Sequence, residues 1–178
     1  MTPSLNLTYA PNVLFLFGLS GAGKSYVGDV IGQHSGWHVY HADEDLTQEM
    51  RRVISEQKPF TEQMRDDFFV KIVSRIKQLQ KQHKKIVVTQ GAYKNKHRHY
   101  LLQSIENLEL IMVSASDSLI HKRLEHRHNG ISNQSAAAIK HVFETPNHLA
   151  HTIENNEGSE FIIQQLNALY ANARSAAA

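Results

Sequence analysis

At 178 residues with a formal net charge of +2, the chain has the length of one domain with room for a sizeable core, and its charge balance argues neither for nor against a polyanionic partner. It contains no cysteine, which excludes disulfides, zinc–thiolate centres and thiol nucleophiles. No apolar stretch approaches membrane-spanning length, and Met1 to Pro11 lack the basic and apolar regions of a signal peptide. The expectation is therefore a cytoplasmic protein with neither membrane nor nucleic acid among its partners. The basic clusters at Lys81–Lys85 and Lys94–Arg98 read as solvated faces. Twelve histidines lie without tight metal-ligand spacing and read mostly as surface or nucleotide-adjacent residues.

In chain order, Val13-Leu14-Phe15-Leu16-Phe17 is an apolar, β-prone run of strand length. It leads into Gly18-Leu19-Ser20-Gly21-Ala22-Gly23-Lys24-Ser25, a G-x-x-x-x-G-K-[ST] phosphate-binding loop, and Tyr26 onwards reads as helix. Strand, glycine-rich turn and helix form the context in which the pattern becomes a mechanism. Backbone N–H groups and the helix N-terminus surround phosphate oxygens. Gly18, Ser20, Gly21, Ala22, Gly23, Lys24, Ser25 and Tyr26 are the expected ATP contacts. Lys24 would reach the β- and γ-phosphates, and Ser25 would be the Mg²⁺ ligand.

Trp37–Tyr40 reads as a second strand, Asp43 to about Ser55 as helix, and Pro59 as a break, with Thr61 opening a helix whose apolar positions run from Phe68 to Leu79. Ile86–Thr89 is a buried-type strand, and a helix follows from about Asn95 to Ile105. Leu108–Val113 is a further buried strand, and Ser116 caps a helix through Arg127. A helix through Phe143 follows the Asn129-Gly130 turn, Thr152–Glu154 is a short strand, and Ser159 to Ala173 closes the chain as helix. Five strands separated by helices predict an α/β, three-layer P-loop sandwich, a parallel sheet with helices on both faces and a small lid at about 128–135. Residues 1–174 would form this single domain and 175–178 a tail.

In such a sheet, ligands sit beyond the carboxyl ends of the strands. The second strand ends at Asp43-Glu44-Asp45. Asp43 is the expected general base toward an acceptor hydroxyl, with Asp45 as substitute; the alternative is three acids complementing a helix N-terminus. The third strand ends at Thr89-Gln90-Gly91, where many P-loop proteins carry a metal-binding Asp. Gly91 would let a substrate approach the backbone. Arg65 would fold over the acceptor. Arg123 and Arg127, at i and i+4, would clamp the transferring phosphoryl group, the alternative being a solvated face.

These segments resemble the gluconate kinase and shikimate kinase group of the nucleoside-monophosphate-kinase-like fold, over nearly the whole chain. Besides the P-loop, Val39–Asp43 is similar to a strand ending in an acidic D-x-D, Pro59–Arg65 to a proline-to-arginine segment, and Gly91-Ala92-Tyr93-Lys94 with Arg98 to a serine-alanine-leucine-lysine segment and its later arginine. The resemblance implies that Arg65 and Arg98 contact a carboxylate and that Arg123 and Arg127 serve the nucleotide and lid. The acceptor side departs from the pattern: His41 stands for the first acid, Gly91 for the serine, Tyr93 for the leucine, Leu46 for a histidine and Phe68 for a tryptophan. Thr152–Ser159 resembles a dephospho-coenzyme A kinase loop, which implies Asn155 and Asn156 as base contacts; an ordinary turn is the alternative.

The chain is thus expected to be a Mg²⁺- and ATP-dependent kinase of a small anionic acceptor, a sugar acid such as gluconate, with a homodimer compatible. The alternatives are a nucleotide or coenzyme kinase and a non-catalytic nucleotide-binding regulator.

Overall fold

The computed structural model describes residues 3–127 and 133–174. Its strands are β1 (Val13–Phe17), β2 (His38–His41), β3 (Ile86–Thr89), β4 (Leu108–Ser114) and β5 (His151–Glu154), and they form one sheet in the order β2-β3-β1-β4-β5. All pairings are parallel. β1 lies in the middle, with Phe15 opposite both Val88 and Leu110. All its residues are buried, and for that reason its sequence is continuously apolar rather than alternating. This is the three-layer P-loop sandwich that the strand–helix alternation predicts.

The helices are α1 (Lys24–Ser35), α2 (Gln48–Ser55), α3 (Glu62–Leu79), α4 (Asn95–Ser104), α5 (Asp117–Glu125), α6 (Asn133–Val142) and α7 (Ser159–Tyr170). Alternate strand residues feed two cores. Phe15, Phe17, Val88 and Leu110 pack with Phe68, Phe69, Ile72 and Ile76 of α3 and Leu101 of α4. Leu14, Leu16, Val87 and Ile111 pack with Val27 and Ile31 of α1 and Ile162 and Leu166 of α7. α1 lies tight on the sheet: a Cβ on Gly28 would stand 2.8 Å from Thr89 Cγ2, and one on Gly32 would overlap Val39.

Some boundaries differ from expectation. Instead of one helix from Asp43 to Ser55, a 3-10 turn covers Ala42–Asp45, the chain opens at Leu46, and α2 starts after Thr47. The Thr47 side chain accepts from Met50 N at 3.1 Å, a cap that is more favourable for threonine than a helix interior. α5 ends at Glu125, short of Arg127, and α7 ends at Tyr170, short of Ala173. The lid expected at 128–135 falls largely outside the described residues. From β1 the chain runs to β2 and β3 on one side, then crosses to β4 and β5 on the other. The carboxyl ends of β1 and β3 therefore flank a switch point.

Candidate active site

The P-loop follows β1. Gly23 is the N-cap of α1 at φ +91, makes no side-chain cap, and the first turn carries no acid. The first amides of α1 are thus left for an external anion. Lys24 Nζ donates to the carbonyls of Gly18 and Leu19 at 3.0 Å each. Burial pulls the pKa of its ammonium down to about 8, a shift partly opposed by the Asp43 carboxylate and reinforced by Arg127.

In front of the loop opens a cleft of about 690 Å³. Lys24, Ser25 and Tyr26 line one side of it, Asp43 and Arg65 another, Thr89, Gln90, Gly91 and Tyr93 the β3 end, and Arg127 the rim. Ser20, Gly21 and Gly23 also reach it, whereas Gly18 and Ala22 are not among its lining residues. Asp43 Oδ1 accepts from Gln90 Nε2 at 3.0 Å. Asp45 turns away: its Oδ2 accepts from Tyr40 Oη at 2.7 Å and lies 3.7 Å from Arg75 Nε. Burial, then the bond to Asp45, push the Tyr40 hydroxyl up from its ordinary pKa. The two acids two residues apart thus occupy different environments, because the 3-10 turn between them rotates one toward the cleft and the other toward the core.

The side chains at the ends of β2 and β3 form a chain of their own. His41 Nδ1 lies 2.8 Å from Thr89 Oγ1, and His41 Nε2 lies 2.8 Å from Asp29 Oδ1. The Arg65 backbone N donates to the Thr61 carbonyl at 3.2 Å, and its side chain makes no hydrogen bond or ion pair with any described residue. Ser25 and Thr89 hydroxyls with the Asp43 carboxylate give hard oxygen donors of the kind Mg²⁺ takes through phosphate and water. No cluster of three or more acidic or imidazole side chains able to hold a metal exists among the described residues.

Four expected contacts stand elsewhere. Arg98 is fully buried, outside the cleft. Its Nη2 donates to Asn95 Oδ1 at 2.9 Å and to the Glu144 carbonyl at 2.6 Å, and its guanidinium lies over the rings of Phe17 and Phe143. It is a packed cation holding the chain after α6 to β1, its charge met by two aromatic faces and by the Glu144 carboxylate within electrostatic reach. Arg123 does not share a helix face with Arg127, since α5 has ended. Its guanidinium donates to the carbonyls of Gly21, Ala22 and Asn155 at 3.2, 3.3 and 2.8 Å, so it braces the back of the P-loop. Asn155 is buried and donates to the Ala22 carbonyl at 3.0 Å. Asn156 Oδ1 accepts from Ser116 N at 2.9 Å. Both asparagines are thus tied into the loop framework by their side chains.

The cleft also contains two groups that were not among the expected site residues. Tyr93 and His97 line it. His97 is buried, stacks on Phe69 with centroids 4.3 Å apart, and meets Asp66 Oδ1 at 2.7 Å. Burial pulls its pKa down, against the pull of Asp66. Tyr93 stands in the segment that resembles the serine-alanine-leucine-lysine motif, whereas the one sequence signal for His97 is its position just beyond a strand end.

Residues 20–168 match the family model described as shikimate kinase. The chain belongs to the shikimate kinase family. Within that family setting, a mouse protein described as "Probable gluconokinase" is 39% identical over 56 residues, a match spanning 32% of this chain and 30% of that protein. A gluconokinase from Sinorhizobium meliloti 1021 superposes with TM-score 0.75 at 22% identity, covering 93% of this chain and 95% of that one. A sugar kinase from Janibacter sp. HTCC2649 gives 0.77 at 15% identity, over 89% and 93%. Shikimate kinase from Acinetobacter baumannii in complex with shikimate gives 0.56 at 17% identity, over 92% and 94%. Beyond its family, the chain is similar to gluconokinases and shikimate kinases and carries a P-loop between β1 and α1. No described helix is long and apolar enough to cross a membrane.

Proposed function

We propose that the protein transfers the γ-phosphoryl group of ATP to a hydroxyl of a small anionic acceptor, a sugar acid such as gluconate being the first candidate. One observation carries the reading: Asp43, held by Gln90, shares a cleft with the P-loop lysine and with Arg65, whose side chain has no partner among the described residues. ATP phosphates take the place of the Gly18 and Leu19 carbonyls at Lys24 Nζ. Asp43 accepts the proton of the acceptor hydroxyl as that oxygen attacks the γ-phosphorus. Arg127 and Lys24 meet the charge spread over the equatorial oxygens. Mg²⁺ at the Ser25 hydroxyl supplies further neutralisation of the phosphates when bound. Arg65 pairs with the acceptor's anionic group, since a guanidinium lining a cleft with no side-chain partner among the described residues is a ready carboxylate site.

The test is ADP release from Mg²⁺-ATP with gluconate, shikimate, nucleosides and dephospho-coenzyme A. Stimulation by a hydroxy acid, abolished in Lys24→Ala with the fold retained, is the expected result. Stimulation by a nucleoside alone would transfer the reading to a nucleotide kinase. ATP binding with no turnover on any acceptor would favour a regulator.

A further inference from the structure

Early in α3, Arg65 lines the cleft and its neighbour Asp66 reaches across to α4. Asp66 Oδ1 lies 2.8 Å from Lys96 Nζ and 2.7 Å from His97 Nε2. Lys96 first, and then His97, hold its carboxyl below the ordinary range. Asp66 is therefore ionised and accepts only, so the proton between the two side chains sits on Nε2 of His97. Burial draws the pKa of the imidazole down against the pull of Asp66, and the ring is neutral at physiological pH. A neutral imidazole has one N–H, and here it is spent on Asp66. Nδ1 is left as a bare lone pair. The ring is also fixed in its plane, stacked on Phe69 with centroids 4.3 Å apart at 7°. Nδ1 has no hydrogen-bond partner among the described residues, and it is not one of the polar atoms sealed from solvent. The space that His97 lines is the cleft, and its lone pair is open there.

We infer that His97 is a further acceptor-binding residue: its Nδ1, aimed by Asp66, takes the hydrogen bond of a non-reacting hydroxyl of the acceptor. The inference rests on the kinase reading above and adds a recognition contact to it. Arg65, assigned to the acceptor's anionic group, stands within electrostatic reach of His97. The charged wall of the cleft is otherwise mostly cationic, with Lys24, Arg51, Arg65, Lys94 and Arg127. Those groups donate only. Asp43 is assigned to the reacting hydroxyl, and Gln90 is engaged at both ends, by Asp43 and by Gly91 N. His97 differs from them as a neutral acceptor. A hydroxyl has a proton to give it, whereas a carboxylate would meet it lone pair to lone pair. The acceptor class is therefore a polyhydroxy acid with at least two hydroxyls, one that attacks and one that His97 reads. Gluconate belongs to that class.

The experiment measures binding of gluconate and of each of its monodeoxy analogues to the ADP-loaded protein by titration calorimetry. ADP release from Mg²⁺-ATP and thermal melts are recorded on the same preparations. Wild type should bind at least one analogue about tenfold more weakly than gluconate, the scale of one hydrogen bond whose loss leaves an acceptor unpaired. His97→Phe keeps a ring on Phe69 and deletes the lone pair. It should bind gluconate about tenfold more weakly and no longer distinguish it from that analogue, with the loss falling on the KM for gluconate. His97→Asn gives up the stack, but its Oδ1 stands where Nδ1 stood. It should melt below His97→Phe and still prefer gluconate to the analogue. A purely structural histidine gives the reverse order. In the NMR spectrum of wild type, Nδ1 should be the unprotonated nitrogen of His97, and its resonance should move with gluconate and not with the analogue. Unchanged discrimination in His97→Phe, its complete loss in His97→Asn, a proton on Nδ1, a loss confined to kcat, or no binding of gluconate to wild type overturns the inference. If the discrimination follows the expected pattern while no hydroxy acid stimulates ADP release, the kinase reading fails and the role of His97 stands. If gluconate turns over and His97→Phe matches wild type, the kinase reading stands and the role of His97 fails.

Discussion

Asp43 and Asp45 lie two residues apart and should fail in different ways. Asp43→Asn keeps the bond to Gln90 within reach but removes the proton acceptor, so turnover should fall about 10²-fold or more with ATP affinity nearly unchanged. Asp45→Asn weakens a partly buried bond to Tyr40 and an ion pair with Arg75. The expected cost is about 1–2 kcal/mol of stability, with turnover preserved in the folded fraction. Steady-state kinetics beside thermal melts separates the two, and a reversed pattern would make Asp45 the base. Lys24 adds a pH dependence. Its folded-state pKa is lowered to about 8 by burial, so it is charged below that pH and neutral above it. Bound phosphates favour the charged form. ATP binding should therefore take up a proton above pH 8, and the KM for ATP should climb up to about tenfold per pH unit there. Buffer-dependent binding enthalpies read the proton directly; a pH-independent KM up to pH 9, with no proton uptake, would place Lys24 off the phosphates.

Between elements, the P-loop is held from behind as well as shaped by its glycines. Arg123 of α5 spans to Gly21 and Ala22 on one side and to Asn155 after β5 on the other. Arg123→Ala should raise the KM for ATP by about tenfold and lower the melting temperature with kcat little changed, because it removes bonds that preorganise the loop. Arg127→Ala should instead lower kcat by about two to three orders of magnitude, as loss of an arginine on the transferring group does. If Arg123→Ala lost kcat alone, its guanidinium would have to swing into the cleft during turnover. The same contrast shows what is legible in a sequence. Continuous apolar runs such as Val13–Phe17 and Ile86–Thr89 announce buried parallel strands, and the P-loop spacing announces an anion site, since both are local patterns. The break at Leu46-Thr47 is a competition between a helix interior and a threonine cap, which spacing alone does not decide. Arg98 and Asn155 are polar residues whose partners lie 46 and 133 positions away. Their burial follows from tertiary packing, which a motif match does not register. Tyr93 is the converse: its cleft position depends on Ala92 at positive φ, a conformation no residue-type rule predicts for alanine.

At the scale of the whole molecule, the two ends of the sheet do different work. The carboxyl ends of the strands carry the cleft, whereas the amino end of β4 is closed by the chain termini. Tyr170 Oη donates to Glu109 Oε2 at 2.7 Å, and Arg174 Nη2 reaches the same oxygen at 2.9 Å. Tyr9 N donates to the Tyr170 carbonyl at 3.0 Å, and Asn6 N to Asn167 Oδ1 at 2.7 Å. α7 is thus pinned to the bottom of the sheet by one carboxylate and by the segment that precedes β1. Burial, and then the bond to Glu109, push the Tyr170 hydroxyl above its ordinary pKa, so it remains a neutral donor throughout the working range. Tyr170→Phe keeps the buried ring and deletes only that donor. Glu109 retains Arg174, so no charge is left wholly unpaired, and the cost should be about 1–2 kcal/mol. For a chain of this size that corresponds to a melting temperature lower by roughly 3–6 °C. Because the lost bond lies at the end of the sheet opposite Lys24 and Asp43, kcat and both KM values should stay within about twofold of wild type, as expected for distant independent sites. A melt and a steady-state assay on the same preparation decide it. A fall in turnover at unchanged melting temperature would mean that the position of α7 is coupled to the cleft through α1, the helix it packs against and the one that begins with the P-loop lysine.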